Sequence, residues 1–254
     1  MEKKYIIDRS DRRSFYAFVQ LKNEGKNVFD FDETTSYDSD CVFVFSPSKR
    51  LTENILNKIP PGSTVFCNTS ADGDGYSHIR FVNLSRQEKY RRINSQLTAE
   101  GALSLTISST EKALFDSSVL ILGYGNLGSA LCETFLPHCK RLTVTAFTLA
   151  EMSDAGQKYQ TYFKKEFVPH LKEYDVIINT VPHNILSRKD VYEISENALY
   201  LELASKPYGV DPADGVAMKA KYVLGNALPD KYSAKTAGDA LAACVDHVLE
   251  DGKQ

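Results

Sequence analysis

Short apolar runs alternate with stretches of helical periodicity along most of the chain. Runs such as Cys41–Phe45 and Val119–Leu122 are apolar at every position and too short for helices, which is typical of strands buried on both faces. The intervening stretches place apolar residues at helical spacing and predict crossover helices. This alternation predicts an α/β protein with mostly parallel sheets and helices on their faces.

The first ninety or so residues form the smaller predicted domain, a flavodoxin-like α/β unit over residues 1–93. Ser10 or Asp11 can cap a first helix that carries Phe15, Phe18 and Val19 on one face. A segment rich in aspartate and glycine, 71–75, is interpreted as a solvated turn. The other predicted elements here are strands at 5–7, 28–31, 41–45, 63–67 and 79–84 and a helix at 51–59.

The second predicted domain, residues 113–233, has the alternation of a doubly wound Rossmann sheet. A connecting helix and hinge over 94–112 precede it, and a C-terminal helix over 234–254 follows it. That last helix has an apolar stripe long enough to pack on either domain. The predicted strands are 117–122, 141–147, 175–181, 198–204 and 221–225, and the predicted helices are 126–138, 149–165, 188–195 and 212–220.

Composition and charge narrow the class of protein without defining its chemistry. The 254 residues are 43% hydrophobic and 25% charged, with a net charge of −3, so electrostatics favour neither nucleic acid nor an anionic membrane as a partner. No apolar run approaches a membrane span, and the N-terminus lacks a secretory pattern. The five cysteines are scattered and give no metal motif. We expect a cytoplasmic protein without a metal.

The most informative segment is a glycine fingerprint between a predicted strand and a predicted helix. Gly123 permits a tight turn, Gly125 lets a pyrophosphate approach the backbone, and Gly128 lets the helix pack close to the strand. The start of the helix offers amide groups to phosphate. The sequence therefore predicts a dinucleotide site. Its cofactor-binding residues in this loop are Gly123, Tyr124, Gly125, Asn126, Leu127 and Gly128.

The end of the next strand decides between NAD and NADP in such folds, because an acid there binds the ribose 2′-hydroxyl and a base accommodates a 2′-phosphate. The window 141–148 holds no acid. Thr145 and Thr148 can bond a phosphate, whereas Arg141 lies at the wrong end of the strand. The sequence favours NADP, and NAD stays open.

A second group of candidate residues follows the buried strand at 175–181. Asn179, Thr180, Val181 and Pro182 close this strand, and we expect them to border the nicotinamide, because ligands sit outside the carboxyl ends of strands. The alternative is a plain turn closed by proline. His183 is a candidate catalyst and equally a solvated loop histidine.

Basic residues after the later strands are candidates for a substrate site. Lys206 follows the strand at 198–204, and Lys231 and Lys235 precede or open the last helix. Together they can receive a carboxylate-bearing substrate through charge-assisted bonds. Three ordinary surface lysines are the alternative.

Four segments together resemble the family formed by the A subunits of dipicolinate synthase, whose fold is similar to that of D-2-hydroxyacid dehydrogenases. The likeness covers the chain from about residue 90 onward, and the first ninety residues match only in general pattern. The segments are 94–102, 123–128, 179–182 with 203–211, and 228–238.

The resemblance implies NADP-linked oxidation of a cyclic dihydro precursor to pyridine-2,6-dicarboxylate, in sporulation, with a second flavoprotein-like subunit as partner. It places Ser205, Lys206, Lys235 and Thr236 on the side of a small dicarboxylate substrate, in a cleft between the domains. Glu100 is the candidate general base, taking a proton as the ring aromatises. We also expect a homo-oligomer.

The sequence departs from the family pattern at several loop positions. Tyr208 and Asp230 stand where the family has glycine, and Phe147 and Thr148 replace the basic residue expected after the second strand of the Rossmann domain. Glu202 stands where the family has aspartate. These changes keep two alternatives open: a divergent paralogue that oxidises another small carboxylate, and a non-catalytic nucleotide-binding subunit or sensor.

Overall fold

The computed structural model describes residues 3–34, 36–46, 50–68 and 75–251. The chain divides into two compact units, the first formed by Met1–Leu97 with Pro229–Gln254 and the second by Thr98–Leu228. The first boundary therefore falls inside the expected hinge 94–112, and the second unit ends five residues before the expected end at 233. Most of the aspartate- and glycine-rich segment 71–75 lies outside the described residues.

The first unit contains a parallel five-stranded sheet in the order β2-β1-β3-β4-β5, which is the flavodoxin-like order. The central strands are apolar on both faces and entirely buried, as expected for strands covered by helices on each side. The strands are β1 (Lys4–Ile7), β2 (Asn27–Asp30), β3 (Val42–Phe45), β4 (Thr64–Cys67) and β5 (Arg80–Asn83).

The second unit contains a parallel six-stranded sheet in the order β11-β10-β9-β6-β7-β8. This order is the Rossmann arrangement of two βαβαβ halves that meet between β6 and β9. The predicted fold class, a Rossmann sheet with a smaller flavodoxin-like unit, is confirmed. The strands are β6 (Ser118–Leu122), β7 (Arg141–Ala146), β8 (Gln160–Phe163), β9 (Val176–Asn179), β10 (Leu199–Glu202) and β11 (Lys221–Leu224).

The helices that connect these strands begin mostly at residues that can accept hydrogen bonds from the first turn. None of those in the described part of the chain is long and apolar enough to cross a membrane. The helices are α1 (Arg12–Asn23), α2 (Glu53–Leu56), α3 (Glu88–Ser109), α4 (Asn126–Phe135), α5 (Leu149–Ala155), α6 (Arg188–Tyr192), α7 (Pro212–Ala217), α8 (Leu228–Tyr232) and α9 (Ala234–Asp251).

Two helix predictions need correction. The helix expected over 149–165 is α5 followed by the edge strand β8, because the chain turns at Gly156 and then pairs with β7. The buried face of α1 is formed by Ser14, Ala17 and Leu21, whereas Phe15 is 44% exposed. Ala17 is small where α9 packs closely on α1, and the Ser14 hydroxyl donates to the Ser46 carbonyl.

The connecting and C-terminal helices also differ from their predicted bounds. In place of the hinge helix expected over 94–112 the chain has the helix α3, which begins earlier and ends at Ser109, and the boundary between the two units falls inside it. The helix α9 belongs to the first unit, where Leu241 and Val245 join the apolar cluster that contains Leu21. The apolar stripe alone leaves open which unit this helix packs on.

Candidate dinucleotide site

The carboxyl ends of neighbouring strands in the second sheet bring three polar residues into one row. The strand register pairs Thr145 with Leu122, Leu122 with Asn179, and Asn179 with Glu202. The side chains of Thr145, Asn179 and Glu202 are fully buried. Because ligands of open α/β sheets bind outside the carboxyl ends of the strands, this row forms the floor of the candidate site.

The glycine loop lies directly above this floor, at the point where the two halves of the sheet meet. Gly123 has a φ of 98°, and its amide donates to Thr145 Oγ1 at 2.8 Å. A Cβ on Gly123 would lie 2.6 Å from Thr180 Oγ1, and a Cβ on Gly128 would overlap the carbonyl oxygen of Gly123. These two glycines are thus required by the close packing of the loop on β9 and α4.

The middle glycine has a different environment. A Cβ on Gly125 would meet no atom within 4 Å, so its surface faces open space. Gly125 is also the N-cap of α4 and supplies no side-chain cap. The first-turn amides of α4 are therefore available to an anion, and the positive end of the helix dipole adds to the attraction. Other helices are capped by side chains, namely those of Asp11, Thr148, Ser187 and Asp211.

Two of the predicted cofactor residues in the loop have side chains that belong to the core. Tyr124 is buried, its ring lies 6.0 Å from that of Tyr159, and burial raises the pKa of its hydroxyl to about 12. Leu127 packs partly against the same apolar cluster. Asn126 is exposed at the start of α4. Tyr124 and Leu127 can therefore contribute to a cofactor site mainly through their backbone.

The two threonines predicted to bind a 2′-phosphate have other roles. Thr145 is fully buried, and its hydroxyl accepts the Gly123 amide, so it shapes the loop from below rather than facing a ligand. Thr148 is the N-cap of α5, where its hydroxyl accepts from the amide of Glu151 at 3.2 Å. The interpretation of Thr145 as a phosphate ligand is therefore corrected. Thr148 is exposed but already engaged in its capping box.

The segment after β9 is held on the glycine loop by hydrogen bonds. The amide of Thr180 donates to the carbonyl of Leu122 at 3.0 Å, and its hydroxyl donates to the same oxygen at 2.8 Å. Asn179 closes a turn by accepting from the amide of Val181 and donating to its carbonyl. Val181 is half-buried, whereas Pro182 and His183 are exposed. The predicted nicotinamide-side residues thus border the glycine loop.

A buried carboxylate joins this turn to the next strand. Glu202 accepts from Asn179 Nδ2 at 2.7 Å, from the Ala204 amide at 3.0 Å and from the Gly209 amide at 2.9 Å. Burial raises the pKa of Glu202, while these three hydrogen bonds oppose the rise. From the sequence, Glu202 is noted but is not predicted to join these two segments. The signal that could have indicated this role is a single carboxylate inside the apolar run Leu199–Leu203.

The loop that this carboxylate fixes carries part of the predicted substrate side. Ser205 and Lys206 are exposed in the loop between Ala204 and Gly209. Tyr208 in the same loop has a φ of 70°, a left-handed conformation that is unfavourable for a residue with a Cβ. The position where the related family has glycine therefore keeps the backbone conformation that suits glycine.

The remaining candidates lie on α3 and α9. Glu100 is exposed on the part of α3 that belongs to the second unit. Lys235 and Thr236 are exposed in the first turn of α9, in the first unit. Lys235 forms an ion pair with Asp239 one turn later, with Nζ and Oδ2 2.7 Å apart. The structure thus distributes these predicted substrate residues over both units.

The strand order, the glycine loop and the uncapped start of α4 define the class as that of Rossmann-fold proteins with a candidate dinucleotide site. A D-isomer specific 2-hydroxyacid dehydrogenase from Xanthobacter autotrophicus, solved in complex with NADPH and MES, has this fold. It matches 98% of the chain with 95% of its own length, at a TM-score of 0.61 and 12% identity. No family model matches the chain.

Within that class the chain is similar to the A subunit of dipicolinate synthase. The protein of that name from Bacillus subtilis is 28% identical over 222 residues, which cover 80% of this chain and 72% of the relative. The crystal structure of this B. subtilis protein superimposes with a TM-score of 0.84 at 22% identity, covering 99% of this chain and 97% of the solved one. The resemblance predicted from the sequence is confirmed.

Proposed function

We propose that the chain binds a nicotinamide dinucleotide at the glycine loop of its second unit and acts as an oxidoreductase. The observation that carries the proposal is the open surface at Gly125, next to the uncapped amides of α4. A bound nicotinamide would supply a hydride acceptor, while the protein supplies position and electrostatics. The dehydrogenase fold and the relative support this class of reaction.

The residues present fit such a cofactor. The backbone of Gly123, Tyr124, Gly125, Asn126, Leu127 and Gly128 would hold the pyrophosphate. Asn179, Thr180, Val181 and Pro182 would border the nicotinamide, because they end the strand on the other side of the switch point. The buried bonds of Asn179 and Thr180 pre-organise that wall before a ligand arrives.

We further propose that the substrate is a dihydrodipicolinate-type ring that is oxidised to pyridine-2,6-dicarboxylate. In this reaction a hydride leaves the ring for the oxidised cofactor and a proton leaves for a base, so the ring becomes aromatic. Glu100 is the proposed base, and Ser205, Lys206, Lys235 and Thr236 would receive the carboxylates. Similarity to a synthase subunit supports assembly with a second subunit. We propose that this second subunit is flavoprotein-like, and we expect a homo-oligomer of this chain.

One observation favours a second candidate, the oxidation of another small carboxylate. Tyr208 places a large ring in the loop that carries Lys206, at a position whose φ of 70° suits glycine. An unfavourable conformation at the edge of a site is commonly retained where it serves a function. A changed substrate would account for the tyrosine at this position.

Two measurements test the proposed function. Hydride transfer is followed as formation of reduced cofactor from NAD or NADP with dihydrodipicolinate, with and without a flavoprotein partner. Turnover of this substrate supports the synthase, whereas turnover only of other small 2-hydroxy or 2-amino acids supports the second candidate. Failure of the chain to bind NAD and NADP alike would contradict both candidate functions.

The anion site is tested by calorimetry of pyridine-2,6-dicarboxylate in the presence of cofactor. Each charge-assisted bond contributes about 1.5–3 kcal/mol, so Lys206→Ala and Lys235→Ala should each weaken binding by about one to two decades. Lys219→Ala, which removes an exposed lysine from the same unit as Lys206, is the control and should bind as wild type does. Clear wild-type binding that both variants keep would rule out this anion site.

A further inference from the structure

A carboxylate just outside the sequence window used to predict cofactor preference lies at the end of β7. Glu151 Oε2 accepts from the amide of Phe147 at 2.8 Å and from the amide of Thr148 at 3.1 Å. The Thr148 hydroxyl accepts from the Glu151 amide in return, which completes a capping box. The carboxylate is therefore fixed against the two residues that directly follow the strand.

This carboxylate follows the strand adjacent to the glycine loop. Leu122 pairs with Thr145 across β6 and β7, and the Gly123 amide donates to the hydroxyl of Thr145. In dinucleotide-binding sheets the groups that follow the second strand contact the adenosine ribose and decide whether its 2′ position carries a phosphate. Glu151 therefore lies where that discrimination is made.

The local chemistry opposes a 2′-phosphate. A dianion needs donors or cations, but the two amides that could serve already donate to Glu151 Oε2, which itself contributes a negative charge. Phe147 stands where the related family has a basic residue. The nearby cation is Lys164, which is exposed; its amide donates to the Ala146 carbonyl at 2.7 Å, and its Nζ lies 4.9 Å from the ring centroid of Phe163.

We propose that Glu151 is the specificity-determining residue of the cofactor site and makes this chain select NAD over NADP. A ribose 2′-hydroxyl is a donor that a carboxylate can accept, whereas a 2′-phosphate meets like charge and amides that are already occupied. This inference rests on the proposed function, and it revises the preference for NADP that the sequence window 141–148 indicates.

The test is a fluorescence titration of the full chain with NADH and with NADPH at fixed ionic strength. Wild type should bind NADH at least about tenfold more tightly than NADPH, as expected for one unfavourable charge contact near the surface. Glu151→Gln keeps a side-chain acceptor for the two amides and removes the charge. It should therefore raise NADPH affinity by about fivefold or more and leave NADH affinity within about twofold.

A matched variant separates the local effect from a general change of charge. Glu196→Gln removes one negative charge from an exposed position just before β10, at the amino ends of the strands and so opposite the glycine loop, and should keep the wild-type ratio. Equal thermal unfolding of the three proteins shows that the capping box tolerates the change.

The outcomes distinguish this inference from the proposed function. Binding of neither nucleotide would overturn both. Tighter binding of NADPH than of NADH by wild type, or an unchanged ratio in Glu151→Gln, would overturn the inference alone and leave the dinucleotide site in place. Loss of NADPH binding in Lys164→Ala with NADH binding retained would also overturn it, because Lys164 would then be a ligand of the phosphate.

Discussion

At the scale of single residues, glycine is needed at each of the three fingerprint positions for a different physical reason. Gly123 needs its left-handed φ, and Gly128 leaves no room for a Cβ beside the Gly123 carbonyl. Substitution of either would disturb the loop itself. Gly125 has an ordinary extended backbone and open space before it. A side chain added at Gly125 should therefore affect a ligand and leave the fold unchanged.

Glu202 allows a prediction about stability at this scale. In Glu202→Gln the side chain can keep one acceptor oxygen, but its amide nitrogen cannot accept from Gly209, so a buried N–H group loses its partner. An unsatisfied buried group costs about 1–3 kcal/mol, and we expect the free energy of unfolding to fall by that amount. Urea denaturation measures it. The control is Glu196→Gln, which is exposed and should stay within about 0.5 kcal/mol of wild type.

The same variant has a defined effect on pH dependence. Burial raises the pKa of Glu202 above its ordinary value of 4.5, so the native state binds the proton more tightly than the unfolded chain. Its contribution to stability is present below pH 4.5 and is lost as the pH rises through the raised value. Stability of wild type should decline more steeply with pH in this window than that of Glu202→Gln. Identical slopes would show that the carboxyl does not titrate there.

Residue roles at the site could be predicted from sequence only where they depend on local context. The glycines can be found because strand, loop and helix follow one another in the chain. The interpretation of Thr145 fails because the fold places its hydroxyl under the Gly123 amide, 22 residues away in sequence. Glu151 lies beyond the window 141–148, and only the capping box brings its carboxylate back to the end of β7.

At the scale of secondary-structure elements, the crossing of α1 and α9 allows a further prediction. A Cβ on Gly238 would lie 2.5 Å from Tyr16 Cβ and 2.6 Å from the Arg13 carbonyl oxygen. Gly238→Ala should force the helices apart and cost about 1–3 kcal/mol of stability. Thermal unfolding checks this. Gly125→Ala, the same change where a Cβ meets no atom within 4 Å, should unfold as wild type does.

The elements that sequence reasoning misses share a physical cause. The strand β8 is half-exposed at the edge of its sheet and has no strong apolar alternation, so pairing with β7 decides its conformation. The inward face of α1 has the small residue Ala17 where Gly238 of α9 approaches closely. Central strands such as β3 and β6 are predicted well, since burial on both faces makes them continuously apolar.

At the scale of the whole molecule, each unit has a parallel sheet whose strand order is that of a known α/β class. The alternation of strands and helices in the sequence predicts the α/β class of both units, because right-handed crossovers leave few alternatives, but it does not predict the edge strand β8. The division of the chain into these two units could not be predicted from the same alternation. The C-terminal helix returns to the first unit through contacts with α1 that no local pattern indicates.

The central claim is that the glycine loop of the second unit is a dinucleotide site, and hydrogen–deuterium exchange with and without NADH tests it most directly. We expect protection of 123–128, 147–148 and 179–182, which lie at one edge of the sheet, and unchanged exchange at 109–117 and 196–198. Gly125→Val should fold as wild type does and show no protection. Absence of protection in wild type at saturating NADH, or the same protection in Gly125→Val, would contradict the claim.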